Sequence, residues 1–396
     1  MGIRSYQKTI VLRLGVGIFM AVAVAGAVSC GRLFIEPSVP AEAPAAAASG
    51  SSSSGAAATV YNYYVYISNN GNLRILEYSQ SQTTGALTYL AQNNTGTPQP
   101  KTLTAHPNGK FLYAASDAGD KIFVYSINQT TGLLTKIQDI ATEDLPAYST
   151  INPAGTCFFA SNSTTGSVSA YSIGGDGLLT LAEHEAGFNT PRGLGVHRSG
   201  NFLHVVNSGT SQVWLHNIAS DCTISTAADT IASGAGPYGL TGHPSKDFVY
   251  VSNNSAQSIS IYTVNPSTGV LSSAGTQASV GSTLYPYVDP SGMYLYTGRY
   301  ASGALSGGVF GYTINQSTGL LTALGTNAAT RLNDYCFTSV ADPLSKYLYL
   351  YCDDGGGNYY VKYYSIASGT GELTDSGTSY NPSGAGWGLA AIRIAQ

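Results

Sequence analysis

The chain has 396 residues, and Asp, Glu, Lys and Arg make up only 10% of them, against about a quarter in ordinary soluble domains. The formal net charge of −4 provides no basic surface for a phosphate backbone, so nucleic-acid partners are excluded. A content of 43% hydrophobic residues, with 47 glycines and 29 tyrosines, indicates a folded, β-rich chain and excludes a disordered one.

Residues 1–29 have the pattern of a signal peptide. Basic residues are followed by an apolar run from Leu14 to Val28, shorter than the roughly 20 residues that a transmembrane helix needs. The run ends in small residues before Cys30, which resembles the lipobox of bacterial lipoproteins. We therefore predict lipidation of Cys30 and a membrane contact through that lipid. An ordinary secretory signal or an uncleaved anchor are the alternatives.

Residues 30–59 contain the predicted lipidated cysteine and a stretch rich in Ala, Ser, Pro and Gly, a composition typical of a flexible tether. Gly31 stands where an Asp often retains lipoproteins at the inner membrane. The sequence therefore predicts an exported protein, held at the outer membrane or cell surface, with the periplasmic face as an alternative.

A short phrase of Gly, two mostly apolar residues and a hydroxyl residue recurs seven times, at intervals of 45 to 52 residues. The copies are Gly85–Thr88, Gly132–Thr135, Gly177–Thr180, Cys222–Ser225, Gly269–Ser272, Gly319–Thr322 and Gly371–Thr374. A period in the forties, built from short β-rich runs and glycine turns, is typical of propeller blades.

Each repeat predicts four strands. Blade 5 illustrates the inner strand with Pro237–His243, the second with Phe248–Asn253 and the third with Ile259–Val264, and the recurring phrase opens the outer strand. The first repeat lacks an inner strand, which Gly386–Ile392 would supply. We therefore predict an all-β, seven-bladed propeller over residues 60–396, closed by the C-terminal strand pairing in the first blade.

Two positions of the repeat are mostly aromatic, and we predict that they face each other as cross-strand pairs. The second-strand position holds Tyr66, Tyr113, Phe159, His204, Tyr250, Tyr296 and Tyr349. The third-strand position holds Tyr78, Tyr125, Tyr171, His216, Tyr262, Tyr312 and Tyr364. In blade 4, His204 and His216 could be metal ligands. With no third ligand visible nearby, we favour hydrogen-bonded histidines and predict no metal.

The cysteines allow one firm pairing. Cys336 and Cys352 flank a tight turn and should face each other on neighbouring strands, so we predict a disulfide between them. Cys157 takes an aromatic position and Cys222 replaces a turn glycine. Whether these two are free or paired stays open, because a bond would require blades 3 and 4 to bring them together.

The motif Pro-x-x-Leu-x-x-His-Pro-x-Gly-x-Phe-Leu-Tyr, at residues 100–113, together with Thr-Gly-x-Leu-Thr, resembles the lactonase-type seven-bladed propellers. That family includes bacterial 6-phosphogluconolactonases and fungal muconate-lactonising enzymes, and the resemblance implies a carboxylic ester hydrolase. Its enzymes carry a His directly after the Pro that opens an inner strand. The corresponding position here holds Lys101, Ala147, Arg192, Tyr238, Leu284, Phe337 and Trp387. The absence of His favours binding over catalysis.

Candidate site residues lie on the face where the inner strands begin. In a hydrolase, His184 or an acidic residue would activate water, while Arg192 and Arg299 would hold a carboxylate or a developing oxyanion. Candidate ligand contacts are Lys101, Asp117, Tyr238, Asp353, Asp354 and Trp387. Solvated loop charges around a closed channel are the alternative interpretation.

The function predicted from the sequence is that of a cell-envelope lipoprotein whose propeller binds a protein or a glycan of the envelope or the exterior. The alternative is a lactone hydrolase acting on a small sugar lactone or another lactone, and a structural role comes third. We expect a monomer that needs no cofactor.

Overall fold

The computed structural model describes residues 59–96, 99–279, 281–300, 308–324, 335–354, 358–386 and 388–395. These residues form seven four-stranded antiparallel sheets whose innermost strands contact one another in sequence around a ring. The predicted all-β, seven-bladed propeller is therefore confirmed. The described part of the chain includes no helix that is long and apolar enough to cross a membrane. The predicted signal peptide and Cys30 lie outside the described residues.

Each blade is given from its innermost to its outermost strand. Blade 1 is β28 (Leu389–Ala395), β1 (Tyr61–Asn69), β2 (Arg74–Gln80) and β3 (Leu87–Asn94); blade 2 is β4 (Pro100–Ala105), β5 (Phe111–Ser116), β6 (Lys121–Ile127) and β7 (Leu134–Ala141); blade 3 is β8 (Pro146–Ile151), β9 (Cys157–Asn162), β10 (Ser167–Ile173) and β11 (Leu179–Ala186). Blade 4 is β12 (Pro191–Val196), β13 (Phe202–Asn207), β14 (Gln212–Asn217) and β15 (Asp229–Ala232), with a 3₁₀ turn at Ser208–Thr210; blade 5 is β16 (Pro237–Gly242), β17 (Phe248–Asn253), β18 (Ser258–Val264) and β19 (Leu271–Ala278). Blade 6 is β20 (Ser282–Val288), β21 (Tyr294–Tyr300), β22 (Gly308–Ile314) and β23 (Leu321–Ala323); blade 7 is β24 (Tyr335–Ala341), β25 (Tyr347–Asp353), β26 (Tyr359–Ile366) and β27 (Leu373–Tyr380).

The core lies between the blades. Every residue of β5, β9, β13 and β17 is buried, because the second strand of a blade is covered on both faces by the neighbouring blades. The outer strand β7 exposes most of its side chains, since only one of its faces packs inward. This difference explains why the second strands are continuous apolar runs in the sequence.

The ring closes in blade 1 through residues from the two ends of the described chain. β28 pairs antiparallel with β1, with Tyr64 opposite Ile392 and Ile67 opposite Leu389. The prediction that the C-terminal segment supplies the missing inner strand is therefore confirmed, and blade 1 has four strands like the other blades.

The predicted aromatic cross-strand pairs are wrong. Tyr113 is paired with Val124, and Tyr125 is paired with Leu112, so the two aromatic positions differ by one residue in register. Because strand side chains alternate between faces, this offset places the two aromatic rings on opposite faces of the blade. The second-strand position therefore faces one neighbouring blade and cannot pair with the third-strand position of its own.

The second-strand tyrosines join adjacent blades through hydrogen bonds that we call interblade clasps. In each, the phenol donates to the carbonyl oxygen of the recurring turn glycine in the next blade. The pairs are Tyr66 with Gly132, Tyr113 with Gly177, Tyr250 with Gly319, Tyr296 with Gly371 and Tyr349 with Gly85, at 2.6 to 2.9 Å. His204 takes the same role in blade 4, with its Nε2 2.8 Å from the carbonyl oxygen of Gly269.

The junction of blades 3 and 4 has a covalent bond in place of a clasp. Phe159 has no hydroxyl to donate, and Cys222 stands where the turn glycine would be. Cys157 and Cys222 form a disulfide across the junction, with their Cα atoms 5.4 Å apart. The question that the sequence left open is thus resolved in favour of pairing. The predicted Cys336–Cys352 disulfide is also confirmed, between directly paired residues of β24 and β25.

The histidines of blade 4 are structural. His204 bonds the carbonyl oxygen of Gly269, and His216 Nδ1 lies 2.7 Å from the carbonyl oxygen of Ser225. Burial lowers the pKa values of both, that of His204 to about 4. Each ring is therefore neutral at pH 7 and is held by one backbone oxygen.

Acid should weaken the fold through His204. The ring resists protonation in the folded state down to about pH 4 but is protonated below about pH 6.5 in the unfolded chain. The free energy of unfolding should therefore fall as the pH decreases from 6.5 to 4, by about 3 kcal/mol from this residue. Urea unfolding at pH 7.5 and pH 4.5 measures the loss. His204→Tyr restores the tyrosine of the other blades and should lose less stability over this interval. Equal losses in the two proteins would contradict the assignment.

Candidate functional site

Five consecutive inner strands, β4, β8, β12, β16 and β20, form a pocket at the end of the channel where these strands begin. It is small and partly open to solvent. Its lining residues are Lys101, Ala147, Tyr148, Arg192, Tyr238 and Tyr285. We call it the channel-mouth pocket.

Irregularities in the inner strands bring these side chains to the pocket. The register shifts after the opening prolines Pro100, Pro146, Pro191 and Pro237, and Lys101, Ala147, Arg192 and Tyr238 each follow one of them. Bulges of this kind redirect side chains. A Cβ on Gly239 would lie 2.4 Å from the carbonyl oxygen of Leu284, so the close approach of β16 to β20 requires glycine there.

Arg192 lies over an aromatic wall. Its guanidinium carbon is 4.4 Å from the ring centre of Tyr238, which meets Tyr285 edge-on at 5.3 Å, and Tyr285 stacks on Tyr148 at 5.8 Å. Burial raises the pKa of Tyr148 to about 12 and that of Tyr285 well above its usual value, so both phenols keep their protons at neutral pH. Among the described residues, Arg192 has no acidic ion-pair partner. Its guanidinium can therefore receive an anionic group.

Lys101 is paired with Asp117, the residue that directly follows β5. The Lys101 Nζ atom lies 3.0 Å from Asp117 Oδ2, and the two side chains are 18% and 16% exposed. Asp117 Oδ1 is buried and has no hydrogen-bond partner in the described structure. A buried carboxylate oxygen in this state is suited to holding a water molecule, because buried polar atoms are normally satisfied.

Three of the sequence-predicted residues, Lys101, Arg192 and Tyr238, line the channel-mouth pocket. Asp117 is not a lining residue but forms an ion pair with Lys101, which is one. His184 lies elsewhere. It is exposed on the outermost strand β11, with its Nδ1 2.8 Å from Ser169 Oγ. The structure therefore does not bring His184 together with Arg192.

The other candidate residues either do not line the channel-mouth pocket or have side chains outside the described part of the structure. Asp353 ends β25, and Asp354 accepts a 2.7 Å hydrogen bond from the Asn358 side chain. Trp387 lies outside the described residues, as does the side chain of Arg299, whose backbone lies in β21. The sequence interpretation missed Tyr148 and Tyr285. Each follows, by one residue, the repeat position that holds Lys101, Arg192 and Tyr238, and an aromatic residue at that next position is the signal that indicates them.

The family model described as Lactonase, 7-bladed beta-propeller matches residues 35–144, 134–239, 180–288 and 239–332. These matches together span most of the chain, which therefore belongs to the lactonase seven-bladed β-propeller family. No curated protein matches the chain.

Solved structures share the fold at low sequence identity. A Bacteroides uniformis protein named as a candidate 6-phosphogluconolactonase superposes with a TM-score of 0.73 at 19% identity, covering 84% of this chain and 99% of its own. A Bacteroides fragilis protein named in the same way has a TM-score of 0.72 at 19% identity, with 84% and 98% covered. The periplasmic gluconolactonase PpgL of Pseudomonas aeruginosa has a TM-score of 0.71 at 15% identity, with 84% and 99% covered.

Proposed function

We propose that this protein is a lactone hydrolase whose substrate, a small sugar lactone or another lactone, binds in the channel-mouth pocket. The observation that carries the proposal is the combination of Arg192, whose guanidinium has no acidic partner among the described residues, with Asp117, whose carboxylate is held by Lys101 and has one oxygen without a partner in the same part of the chain. Membership of the lactonase family supports hydrolysis over the binding role favoured by the sequence alone.

In the proposed reaction, Asp117 Oδ1 accepts a proton from a water molecule, whose oxygen attacks the lactone carbonyl carbon. Arg192 donates hydrogen bonds to the oxyanion that develops on the carbonyl oxygen. When the tetrahedral intermediate collapses, the ring C–O bond breaks and the departing alkoxide takes the proton from Asp117. The product is a hydroxycarboxylic acid. Lys101 is a positioning residue, because its ion pair fixes the carboxylate.

The test is proton release from a panel of lactones that includes 6-phosphogluconolactone and glucono-lactone, with the purified full-length protein. Asp117→Asn should lower kcat about 100-fold or more, because the amide cannot accept the proton. Asp139→Asn is the matched control, since Asp139 forms an exposed ion pair with Lys136 on β7. Rates no higher than the spontaneous rates across the panel would reject the hydrolase.

A binding role for an envelope protein or a glycan is the second candidate. It is supported by the lack of His at the position where the family's enzymes carry it, and by the tyrosines that line the pocket. Saturable binding of a ligand at Arg192 and Tyr238 without turnover would distinguish this role from hydrolysis.

The proposal places the propeller outside the cytoplasm, with Cys30 as the lipid-bearing residue. Two disulfides support export, because such bonds persist in oxidising compartments, and one structural neighbour is named as periplasmic. Metabolic labelling with a radioactive fatty acid tests the anchor. Incorporation should be lost in Cys30→Ser, and unchanged labelling in that variant would reject the anchor at Cys30.

A further inference from the structure

A second pocket lies at the other end of the inner strands, between blades 4 and 5. It is small and partly open to solvent. Its inner wall is formed by Gly195, His204 and Leu240, and its rim includes Arg198 and Lys246. Arg198 and Lys246 belong to the turns opposite the channel mouth, so we call it the lower pocket.

The lower pocket exists because several residues of blades 4 and 5 depart from the repeat. His204 replaces the larger tyrosine of five other blades. The space left by its partner in register, Gly195, is occupied by the Leu240 side chain, because a Cβ on Gly195 would lie 2.3 Å from Leu240 Cδ2. The equivalent residues in the other blades all have side chains. Those residues are Ala390, Thr104, Thr150, Thr241, Tyr287 and Val340. A Cβ on Gly242 would meet no atom within 4 Å, so the space beside it is also open.

The two cationic residues at the rim of the lower pocket also differ from the residues at the same positions of the repeat. Arg198 stands where the other inner turns have proline, and Lys246 stands where most have glycine. Asp247 accepts hydrogen bonds from Arg198 Nε at 2.7 Å and from His197 Nε2 at 3.0 Å, while Lys246 has no ion-pair partner among the described residues. One positive charge of this group is therefore uncompensated, which suits a single anionic group.

The inner wall offers a hydrogen-bond acceptor. His204 Nε2 must donate its hydrogen to the carbonyl oxygen of Gly269, which can only accept, so Nδ1 carries a lone pair. His204 is fully buried, and its Nδ1 has no hydrogen-bond partner in the described structure. A lone pair in this position selects a hydroxyl donor, since buried acceptors without partners are costly.

We propose that the lower pocket binds a small hydroxycarboxylate, with its carboxylate at Lys246 and Arg198 and its hydroxyl donating to His204 Nδ1. The apolar side chain of Leu240 would limit the ligand to a short carbon chain. This proposal does not depend on the proposed hydrolysis, because it uses none of the residues of the channel-mouth pocket.

The experiment follows the imidazole nitrogens of the ¹⁵N-histidine-labelled, full-length protein by NMR during titration with glycolate. We expect saturable movement of the His204 Nδ1 resonance, with a Kd on the order of 1 mM for so small a ligand. Acetate, which lacks the hydroxyl group, should bind at least about tenfold more weakly. Equal affinities for the two ligands, or no saturable shift with either, would overturn the proposal and leave the pocket to water.

Two variants return the pocket to the pattern of the repeat. His204→Tyr should preserve the interblade clasp, fill the space and abolish glycolate binding, measured by calorimetry. Lys246→Gly should weaken binding about tenfold or more through loss of the unpaired cation. Arg192→Met tests whether glycolate binds at the channel-mouth pocket instead. If the titration is the same in this variant, the binding takes place in the lower pocket. Undiminished binding in folded His204→Tyr would refute the assignment.

Discussion

Replacing Arg192 with methionine should lower kcat/KM for lactone hydrolysis about 100- to 1,000-fold, the range seen when a donor to a developing oxyanion is lost. Methionine keeps an unbranched apolar stem that can still cover Tyr238 but removes the guanidinium that lies 4.4 Å from the ring centre. The loss should fall mainly on kcat, because the charge on the carbonyl oxygen develops only in the transition state. Initial rates of proton release across a range of lactone concentrations measure both constants.

Arg393→Met is the matched control for this prediction. Arg393 also lies over a tyrosine ring, 4.9 Å from the centre of Tyr61, but it belongs to β28 in blade 1 and does not line the channel-mouth pocket. Its replacement should leave kcat/KM within about twofold of the original value. A similar decrease in both variants would indicate a general effect on the fold and would remove the reason for placing Arg192 at the reaction centre.

Removing the Cys157–Cys222 disulfide should lower the free energy of unfolding by about 4 kcal/mol. The bond closes a segment of 65 residues, and the loss of chain entropy in the unfolded state grows with the length of the closed loop. Cys157→Ala with Cys222→Gly is the suitable pair, because Cys222 has a positive φ of 71° that glycine adopts without strain. Equilibrium unfolding in urea, with both proteins at the same pH, measures the difference.

Two further variants test whether the loss of stability depends on the length of the loop that the disulfide closes. Cys336→Ala with Cys352→Ala removes a disulfide between residues only 16 positions apart. This should lower the free energy of unfolding by about 3 kcal/mol. Adding Phe159→Tyr to the first variant should recover about 1 kcal/mol, because it introduces the phenol that forms a clasp in the other blades. If removing the disulfide of the shorter loop lowers the free energy of unfolding more, chain entropy does not explain the effect. If Phe159→Tyr recovers no stability, the disulfide does not take the place of an interblade clasp.

The repeat was sufficient to predict the number of blades and the closing strand, because each blade repeats the same strand and turn signals. It did not predict the faces on which Tyr113 and Tyr125 lie, since their placement depends on a one-residue register that the strand pattern does not determine. The Cys157–Cys222 bond was also beyond the sequence, because it depends on the distance between two blades.

The candidate site was predictable in part for a related reason. Lys101, Arg192 and Tyr238 share one position of the repeat, directly after the opening proline, and could be grouped from the alignment of blades alone. Tyr148 also lines the pocket, although it lies one residue later in its strand. In a regular strand it would point to the opposite face, but the bulge after the opening proline changes this alternation. His184 is near the correct end of its blade, but it follows the phrase Gly177–Thr180, which opens the outer strand. The sequence therefore already indicated that His184 is far from the channel.

The pairing of β28 with β1 has a consequence for the order of synthesis. β1 leaves the ribosome before the other strands, and its inner edge stays unpaired until the last strand of the described chain is available. An exposed strand edge is a template for association with other chains, and pairing between distant segments forms slowly. Until the last strand arrives, two incomplete molecules can associate through this edge, so keeping newly made chains apart should increase the yield of folded protein.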